Sequence, residues 1–362
     1  MSNIAPANIS EAYPELFCTI PPPVKEKKPG QLSDKQIKQF FEEGYVIVED
    51  FFSPEELDPV REGVNSLVDE FAQRLYDAGK IRKLYKDSGF FERLTKIEKD
   101  FPGASVVLHK SGKMPMAFKN LLSNERLLNV VEQIIGPDIM GHPVWNLRTK
   151  TPKNEQTVVP WHQDAAYMDN DAHKIMIPTA WIPLLDANEN NGCLQLVKKA
   201  HRSGRLATHT CCAGPTWYVM LEEEEMVKTL GANLEEDIMT CPIPYGGFLF
   251  FNNLLPHRSL SNYSNVIRWS LDLRWSKPTD PVGLWGLKEG VLLRSSKDPN
   301  LKVDWDAFTK VDRTASQEKI LGKDVDEFDS TLSGPWMKKW EIVHHNKHTD
   351  AYFAGADSTV NP

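Results

Sequence analysis

The chain has 362 residues, of which 25% are charged and 41% are hydrophobic, and its formal net charge at pH 7 is -8. This composition is typical of a globular chain and excludes a collagen, a disordered tail protein and a small disulfide-rich scaffold. The acidic balance makes nucleic acid and anionic membrane surfaces poor candidates as partners, because neither is attracted by the chain as a whole.

The first region, residues 1–30, contains six prolines and a Lys-Glu-Lys-Lys stretch. Proline lacks an amide proton and restricts the backbone, so we predict an extended N-terminal arm without a helix or a central strand. Ordered structure is expected from Ser33, which can cap a helix with apolar residues at helical spacing. The β-prone run Tyr45–Val48 then predicts an edge strand.

Two further helices are predicted before the middle of the chain. Ser53 precedes Pro54 and two glutamates, a pattern that starts a helix because the positive end of the helix dipole favours acidic residues. The amphipathic pattern continues to about Gly79. A second helix is predicted over residues 125–135, because the Gly-Pro pair that follows would end it.

Short β-prone runs separated by Pro, Gly and Asn occupy residues 139–275. This pattern is typical of a sandwich or barrel of many short strands, so we predict a mainly β fold with flanking helices. The acidic run Glu222–Glu225 is expected to be a solvated helical face. The predicted strands are Gly141–Arg148, Thr157–Trp161, Thr179–Leu184, Leu194–Val197, Ile238–Ile243, Phe248–Phe251 and Val266–Trp275.

No linker or internal repeat divides the chain, so we predict one domain with appended ends. The arm covers residues 1–30, and the β domain with its N-terminal helices covers 31–279. Residues 280–362 form a C-terminal extension, which is expected to pack on the same domain and to have flexible last residues. The oligomeric state is left open.

The five cysteines are odd in number and are not spaced as metal-ligating clusters, which predicts free thiols and no disulfide framework. For the adjacent pair Cys211 and Cys212 a packing role is preferred to redox chemistry. The N-terminus has no signal-peptide pattern, and no apolar run approaches the roughly 20 residues of a membrane helix. These observations predict a cytoplasmic protein without a membrane partner.

Two His-x-Asp triplets are candidates for metal binding: His162-Gln163-Asp164 and His348-Thr349-Asp350. The triplet alone is weak evidence, so its context has to decide. The first follows a predicted strand and a turn, which would place both side chains at the mouth of a sheet. The second lies in a polar region with His344 and His345, for which a solvated tail is the preferred interpretation.

His257 follows the predicted strand 248–251 and can add a third ligand to the first triplet. Two imidazoles and one carboxylate leave open positions on iron, whereas zinc more often has a fuller ligand set. Arg268 lies in the predicted strand Val266–Trp275, in which strict alternation places Arg268, Ser270, Asp272 and Arg274 on one face. A guanidinium beside a hydroxyl can bind the far carboxylate of a dicarboxylate.

These segments together resemble the phytanoyl-CoA dioxygenase family of iron(II)- and 2-oxoglutarate-dependent oxygenases. The resemblance covers roughly residues 36 to 276 and rests on these motifs: Trp161-His162-Gln163-Asp164, Gly192-Cys193-Leu194-Gln195, His201-Arg202, Pro256-His257-Arg258-Ser259 and Arg268-Trp269-Ser270. It implies a distorted double-stranded β-helix of the jelly-roll and cupin kind. It also implies iron(II), 2-oxoglutarate and dioxygen as the reactants that accompany a small-molecule substrate.

The resemblance assigns roles to individual residues. His162, Asp164 and His257 would be the iron ligands. Arg268 and Ser259 would contact 2-oxoglutarate, and three further residues match positions of its pocket: Gln163, Trp181 and Lys150. Structural alternatives stay open: an ion pair of Arg268 with Asp272, turn positions for Gln163 and Ser259, and core packing for Trp181.

The substrate is not specified by the resemblance. Trp217 and Tyr218 are candidates for the substrate pocket, and Arg202 and Arg294 are candidates for binding an anionic substrate. The expected activity is hydroxylation of an aliphatic carbon, with oxidative decarboxylation of 2-oxoglutarate to succinate and CO2. The alternatives are a 2-hydroxylase of acyl-CoA with the same chemistry and a catalytically silent binding module of the same fold.

Overall fold

The computed structural model describes residues 11–356, in which a helical N-terminal third is followed by antiparallel β-sheet and a mixed C-terminal region. The α-helices are α1 Pro14–Cys18, α2 Asp34–Glu43, α3 Pro54–Asp77, α4 Arg93–Asp100, α5 Ala104–Ser111, α6 Met116–Leu122, α7 Glu125–Ile135, α8 Glu223–Leu230, α9 Leu234–Asp237, α10 Trp305–Lys310, α11 Arg313–Leu321, α12 Trp336–Lys339 and α13 Lys347–Ala356.

The strands are β1 Tyr45–Val48, β2 Ile139–Gly141, β3 Asn146–Lys150, β4 Pro178–Pro183, β5 Leu194–Val197, β6 Thr210–Cys211, β7 Val219–Met220, β8 Ile238–Cys241, β9 Phe248–Asn252, β10 His257–Ser259, β11 Arg268–Ser276, β12 Val291–Arg294 and β13 Glu341–Ile342. A seven-stranded sheet has the order β1-β9-β4-β11-β2-β12, with β3 paired to β11, and a three-stranded sheet has the order β10-β5-β8. A third small sheet has the order β13-β6-β7. The predicted double-stranded β-helix with flanking helices is confirmed, and β1 is an edge strand as predicted.

Helices α2, α3 and α7 begin where the sequence predicts, whereas α4, α5 and α6 lie outside the predicted helices. The Ser33 hydroxyl accepts a hydrogen bond from the Gln36 amide, the Gln36 side chain accepts one from the Ser33 amide, and Gly44 ends α2 with a φ of 90°. Helix α7 begins after Asn124, whose side chain accepts a hydrogen bond from the Leu127 amide. These caps satisfy amide groups that a helix end leaves free, so local sequence determines these boundaries.

Strand β11 is the centre of the large sheet, because it pairs with both β3 and β4. Arg268 lies opposite Lys150 on β3, and Asp272 lies opposite Trp181 on β4. All nine residues of β11 are buried. Its apolar face packs in the main core, whereas its polar face points into the interior of the fold, where the candidate site lies.

Three local predictions are wrong. The arm contains the short helix α1, whose Phe17 is fully buried. The predicted strand 141–148 is interrupted between β2 and β3, where Pro143 cannot donate a ladder hydrogen bond. Residues 157–161 form no strand for the same reason, because Pro160 lies within them.

The C-terminal extension shares the core of the β domain. Phe308, Leu332, Met337 and Trp340 belong to the same cluster of buried apolar side chains as the β-sheet residues. His348 is 2% exposed, so the solvated-tail interpretation is wrong for this residue, whereas His344 and His345 are exposed. The predicted flexible end, after residue 356, lies outside the described residues.

Cys211 and Cys212 are joined by a disulfide, so the prediction of free thiols is wrong for this pair. Sequence arguments for disulfides rest on spaced cysteines, and an adjacent pair falls outside them. Both side chains are fully buried, and Cys18, Cys193 and Cys241 are free.

The acidic run Glu222–Glu225 forms the start of α8, as predicted. None of the helices within residues 11–356 has the length and hydropathy that a membrane crossing requires.

Candidate metal centre

The three predicted ligands meet in the interior, although they come from separate parts of the chain. The backbones of His162 and His257 form an isolated antiparallel bridge with two hydrogen bonds of 3.0 Å. Asp164 begins a short 3₁₀ helix directly afterwards. The ligand atoms of all three residues lie within 4.8 Å of one another, and all three side chains are buried. Such a group of three His, Cys, Asp or Glu residues occurs once within residues 11–356.

Both imidazoles are oriented by backbone carbonyl groups. His162 Nδ1 lies 2.9 Å from the Pro160 carbonyl oxygen, and His257 Nδ1 lies 3.0 Å from that of Leu255. A carbonyl only accepts hydrogen bonds, so both Nδ1 atoms carry the proton and both Nε2 atoms are free to bind a metal. Burial, together with the neighbouring His162, lowers the pKa of His257 to about 3, which keeps this imidazole neutral.

Asp164 divides its two oxygens between different partners. Oδ2 accepts hydrogen bonds from Arg274 Nε at 2.9 Å, from Arg274 Nη2 at 2.8 Å and from the Thr179 hydroxyl at 3.2 Å. Oδ1 lies 3.6 Å from His162 Nε2 and 3.7 Å from His257 Nε2. Burial opposes ionisation, but the Arg274 guanidinium holds the pKa of Asp164 well below its usual range. The carboxylate is therefore charged, with Oδ1 directed to the centre.

Arg274 is a site residue that the sequence analysis did not identify. The alternation of β11 had placed it on the same face as Arg268, and this was the available signal. Its contact with Asp164 could not be predicted, because the two residues are 110 positions apart.

A first cavity connects the two histidines to Arg268 and is also lined by Ser259, Trp181 and Lys150. Arg268 is 1% exposed. Its Nη1 donates to the Ser270 hydroxyl at 2.6 Å, its Nε donates to the Gly192 carbonyl at 3.2 Å, and it lies 5.2 Å from the centre of the Trp181 ring. These partners are neutral, so the buried guanidinium lacks the carboxylate that such a charge requires.

Lys150 and Ser259 are held by backbone contacts at the edge of this cavity. Lys150 Nζ donates to the Thr157 carbonyl at 2.8 Å, and the Ser259 hydroxyl accepts from the Val159 amide at 2.9 Å. Burial and the nearby Arg268 lower the pKa of Lys150 well below its usual value. The ion pair considered for Arg268 and Asp272 is not formed, because Asp272 pairs with Arg148 at 2.7 Å.

Three predicted site residues lie elsewhere. The Gln163 side chain donates to the carbonyl groups of Arg205 and Leu254 and accepts from the Ala207 amide, so it braces backbone outside the cavity. Arg202 is exposed and donates to the Glu42 carbonyl. Arg294 forms ion pairs with Glu125 and Glu132 on α7. Their sequence neighbourhoods suggested a site, but their side chains point to other elements.

A second cavity adjoins the triad and shares several lining residues with the first. It is lined by His162 and Asp164 and by residues of the C-terminal extension. Trp217 and Tyr218 line both cavities, as does Arg148. The two aromatic candidates are therefore adjacent to the centre, as the sequence analysis expected, and the extension supplies part of the same wall.

The geometry allows a specific chemistry. Two imidazoles and one carboxylate on one side of a metal are typical of iron(II) centres that keep positions open for dioxygen and a cosubstrate. An uncompensated guanidinium in the adjoining cavity suits a carboxylate at the far end of such a cosubstrate. The donor set therefore fits iron(II) and a dicarboxylate.

Comparison with known proteins agrees with this geometry. Residues 40–270 match the family model described as phytanoyl-CoA dioxygenase (PhyH). A phytanoyl-CoA dioxygenase domain-containing protein 1 from Danio rerio is 22% identical over 267 residues, which are 66% of this chain and 87% of the relative. Phytanoyl-CoA dioxygenase 1 from Oryza sativa subsp. japonica is 25% identical over 284 residues, which are 68% of this chain and 93% of the relative.

A solved structure has the same fold. The crystal structure of EctD from S. alaskensis with 2-oxoglutarate and 5-hydroxyectoine matches with a TM-score of 0.52 and 17% sequence identity. The match covers 83% of this chain and 92% of that one. It supports the assignment of the double-stranded β-helix.

Proposed function

The chain belongs to the phytanoyl-CoA dioxygenase family, and on this premise we propose that it hydroxylates an aliphatic carbon of a small-molecule substrate. As a member, it is an iron(II)- and 2-oxoglutarate-dependent oxygenase with a buried His-Asp-His triad. The observation that carries the proposal is the position of this triad between a cavity with an uncompensated guanidinium and a second cavity that can hold a substrate.

In the proposed site, His162 and His257 bind iron(II) through Nε2, and Asp164 binds it through Oδ1. When bound, iron(II) and 2-oxoglutarate supply the oxidising chemistry, in which dioxygen is consumed and succinate and CO2 are formed. The protein keeps the ligand atoms in place before the metal arrives. The ligand atoms are held by the carbonyl contacts of both imidazoles and by the contact of Arg274 with Asp164.

Arg268 binds the far carboxylate of 2-oxoglutarate in this proposal, with Ser259 beside it. The supporting observation is that Arg268 is buried and its partners, Ser270 and Gly192, are neutral. A carboxylate would supply the missing negative charge and accept charge-assisted hydrogen bonds. Trp181 covers the guanidinium, and Lys150 lies on the same wall.

The carboxylate at position 164 favours hydroxylation over halogenation. Halogenating relatives have a small residue there, which leaves a coordination position for chloride. In this chain Asp164 is present, ionised and held by Arg274. The position is therefore occupied by a protein ligand.

An acyl-CoA substrate is the alternative within the same chemistry, and a silent binding module is the alternative outside it. To test the activity, the protein is titrated with iron(II) and then 2-oxoglutarate under argon while the visible charge-transfer band of the chelate is recorded. Succinate is then measured after air is admitted. We expect the band and slow succinate formation without added substrate. Absence of both would contradict the enzyme and favour the binding module.

The cosubstrate site is tested with a matched pair of arginine variants. Arg268→Met removes the guanidinium from the first cavity, whereas Arg202→Met removes one that lies on the surface. We expect the first variant to require about 10- to 100-fold more 2-oxoglutarate for half-maximal succinate formation, because a charge-assisted contact is lost. The second variant should match the parent protein. Equal effects would contradict the assignment of Arg268.

Pools of fatty acyl-CoAs, amino acids and other metabolites can then be screened for faster succinate release. A substrate is recognised by coupled formation of one hydroxylated product for each succinate. An acyl-CoA that couples efficiently would establish the alternative substrate class.

A further inference from the structure

The second cavity has an apolar wall and leads outward from the metal centre. Its volume is about 170 Å³. Aromatic and aliphatic side chains form much of its surface, including Trp145, Trp217, Trp336, Leu287 and Ile320. Because apolar surface is released from water when a ligand covers it, this wall suits a hydrocarbon portion of a substrate.

The charged groups that line the two cavities are predominantly cationic. Three carboxylates, those of Asp164, Asp272 and Asp312, face five guanidinium groups and three lysines. Iron(II) and 2-oxoglutarate have equal and opposite charges, so their binding leaves this excess unchanged. The cations are Arg148, Arg258, Arg268, Arg274, Arg313, Lys110, Lys150 and Lys288.

Most of the guanidinium groups have an anionic partner or a proposed one. Arg274 pairs with Asp164, and Arg148 pairs with Asp272. Arg268 is assigned to 2-oxoglutarate. The carboxylate of Asp312 caps α11 by accepting from the Ala315 amide at 2.9 Å, so it is directed to the helix backbone.

Among the guanidinium groups of the second cavity, Arg313 is the one without a carboxylate partner. Arg258, which lines only the first cavity, is half-buried and donates to the Gln195 side chain. The donors of Arg313 contact the carbonyl groups of Trp145 and His109, the Asn146 side chain and His109 Nε2. All these acceptors are neutral, since burial keeps the pKa of His109 well below its usual value. Burial and the nearby Arg148 lower the pKa of Arg313 to about 9, although Asp272, which pairs with Arg148, acts in the opposite direction.

Arg313 is also close to the metal centre along one loop. Arg274, which holds Asp164, donates to the Val144 carbonyl at 3.3 Å, and Arg313 donates to the carbonyl of the next residue, Trp145. Both arginines line the second cavity, together with Val144 and Trp145. A molecule bound in this cavity can therefore contact both Arg313 and the residues around the metal centre.

We propose that the substrate is an apolar molecule with an acidic group, carboxylate or phosphate, and that Arg313 of the C-terminal extension binds this group. The inference rests on the proposed function, which identifies the second cavity as the substrate site. It makes Arg313 a specificity residue: the extension selects substrates by charge, and the β domain supplies the oxidising centre.

The head-group preference can be measured on the unmodified protein loaded with iron(II) and 2-oxoglutarate under argon. Loading fills the Arg268 site, so that a carboxylate probe does not bind there. Octanoate, octyl phosphate, octan-1-ol and octylamine are titrated by calorimetry. We expect one or both acids to bind at least about 10-fold more tightly than octan-1-ol and octylamine, because a charged contact is added to the same alkyl chain. The better of the two acids identifies the acidic group. Equal binding of the alcohol, or no binding of either acid, would overturn the proposal.

Variants locate the contact. Arg313→Gln should weaken binding of the preferred acid about 10- to 100-fold and leave octan-1-ol unchanged, whereas Arg313→Lys should retain part of the preference. Arg202→Gln is the surface control and should bind as the parent does. Unchanged acid binding in a folded Arg313→Gln protein would overturn the assignment.

The oxygenase activity and the role of Arg313 can be contradicted separately. Loss of the charge-transfer band and of succinate formation in the parent protein would contradict the oxygenase itself. If both are retained in the parent and in Arg313→Gln while the acid preference is absent, the oxygenase stands and the inference about Arg313 fails. Thermal unfolding of each variant shows whether it is folded.

Discussion

The two His-x-Asp triplets have the same spacing and different environments. His162 and Asp164 follow an extended segment that pairs with His257, and their ligand atoms converge with its imidazole. His348 lies in α13, where its Nδ1 accepts a hydrogen bond from the Leu332 amide at 3.0 Å, and Asp350 is exposed. His162 lines both cavities with its Nε2 free, whereas the His348 ring accepts a hydrogen bond from a loop amide.

The comparison indicates what turns a triplet into a candidate metal site. In the first triplet, the Pro160 carbonyl accepts a hydrogen bond from His162 Nδ1, and Arg274 donates to one oxygen of Asp164. The other ligand atoms, His162 Nε2 and Asp164 Oδ1, face each other and are available to a metal. In the second triplet, the histidine nitrogen is already occupied and the carboxylate is in water. Neighbouring structure, rather than spacing, makes the difference.

The largest expected difference is in activity. Replacement of His257 by alanine removes one of the proposed ligands, so iron-dependent succinate formation should fall to background. Replacement of His348 by alanine should leave this activity in the folded fraction of the protein. Succinate formation is measured for both at saturating iron(II) and 2-oxoglutarate. Substantial turnover in His257→Ala would contradict the ligand assignment.

The next largest effect should come from replacing Arg274, the partner of Asp164. Arg274→Met leaves a buried carboxylate without its counter-ion, which is expected to cost about 3–5 kcal/mol of unfolding free energy. Iron(II) would supply a positive charge beside the other oxygen of the same carboxylate, so its addition under argon should recover part of this loss. Urea unfolding with and without iron(II) measures both effects. A loss that is the same in both conditions would contradict the electrostatic account.

The second triplet should show its role in stability. His348→Ala leaves the buried amide of Leu332 without an acceptor, at a cost of about 2 kcal/mol. His348→Gln can supply an oxygen acceptor and should cost less. Urea unfolding of the two variants at pH 7.5 tests this, and equal stability of His348→Ala and the parent would contradict it.

The smallest expected effect is a dependence on pH. Burial lowers the pKa of His348 to about 4, below its value of about 6.5 in the unfolded chain. The unfolded state therefore takes up a proton first, and the stability contributed by the neutral ring is lost as pH falls from about 6.5 towards 4. Between pH 7.5 and 5.5 the parent should lose about 1 kcal/mol more than His348→Gln. A difference of the opposite sign would contradict the buried neutral ring.

Local patterns predicted much of the fold and part of the site. The Ser33 cap located the start of α2, the Gly136-Pro137 pair located the end of α7, and alternation placed Arg268, Ser270, Asp272 and Arg274 on one face of β11. These predictions succeeded because they depend on neighbours in the chain. Predictions failed where proline removed a hydrogen bond from a strand, and where side chains such as Gln163 and Arg294 found partners on distant elements.

The sequence by itself determined the chemical types available to the site: two histidines, an aspartate and a strand with two arginines, six positions apart, on one face. Ligand identity and strand periodicity are local properties of a chain, and they were sufficient to recognise an oxygenase family. Tertiary structure alone decided that Arg274 holds Asp164, that Arg148 holds Asp272 and that Arg313 enters the second cavity. The physical reason is that the pairing of buried charges depends on which elements the closed sheet and the extension bring together, and such pairs are separated by more than a hundred residues.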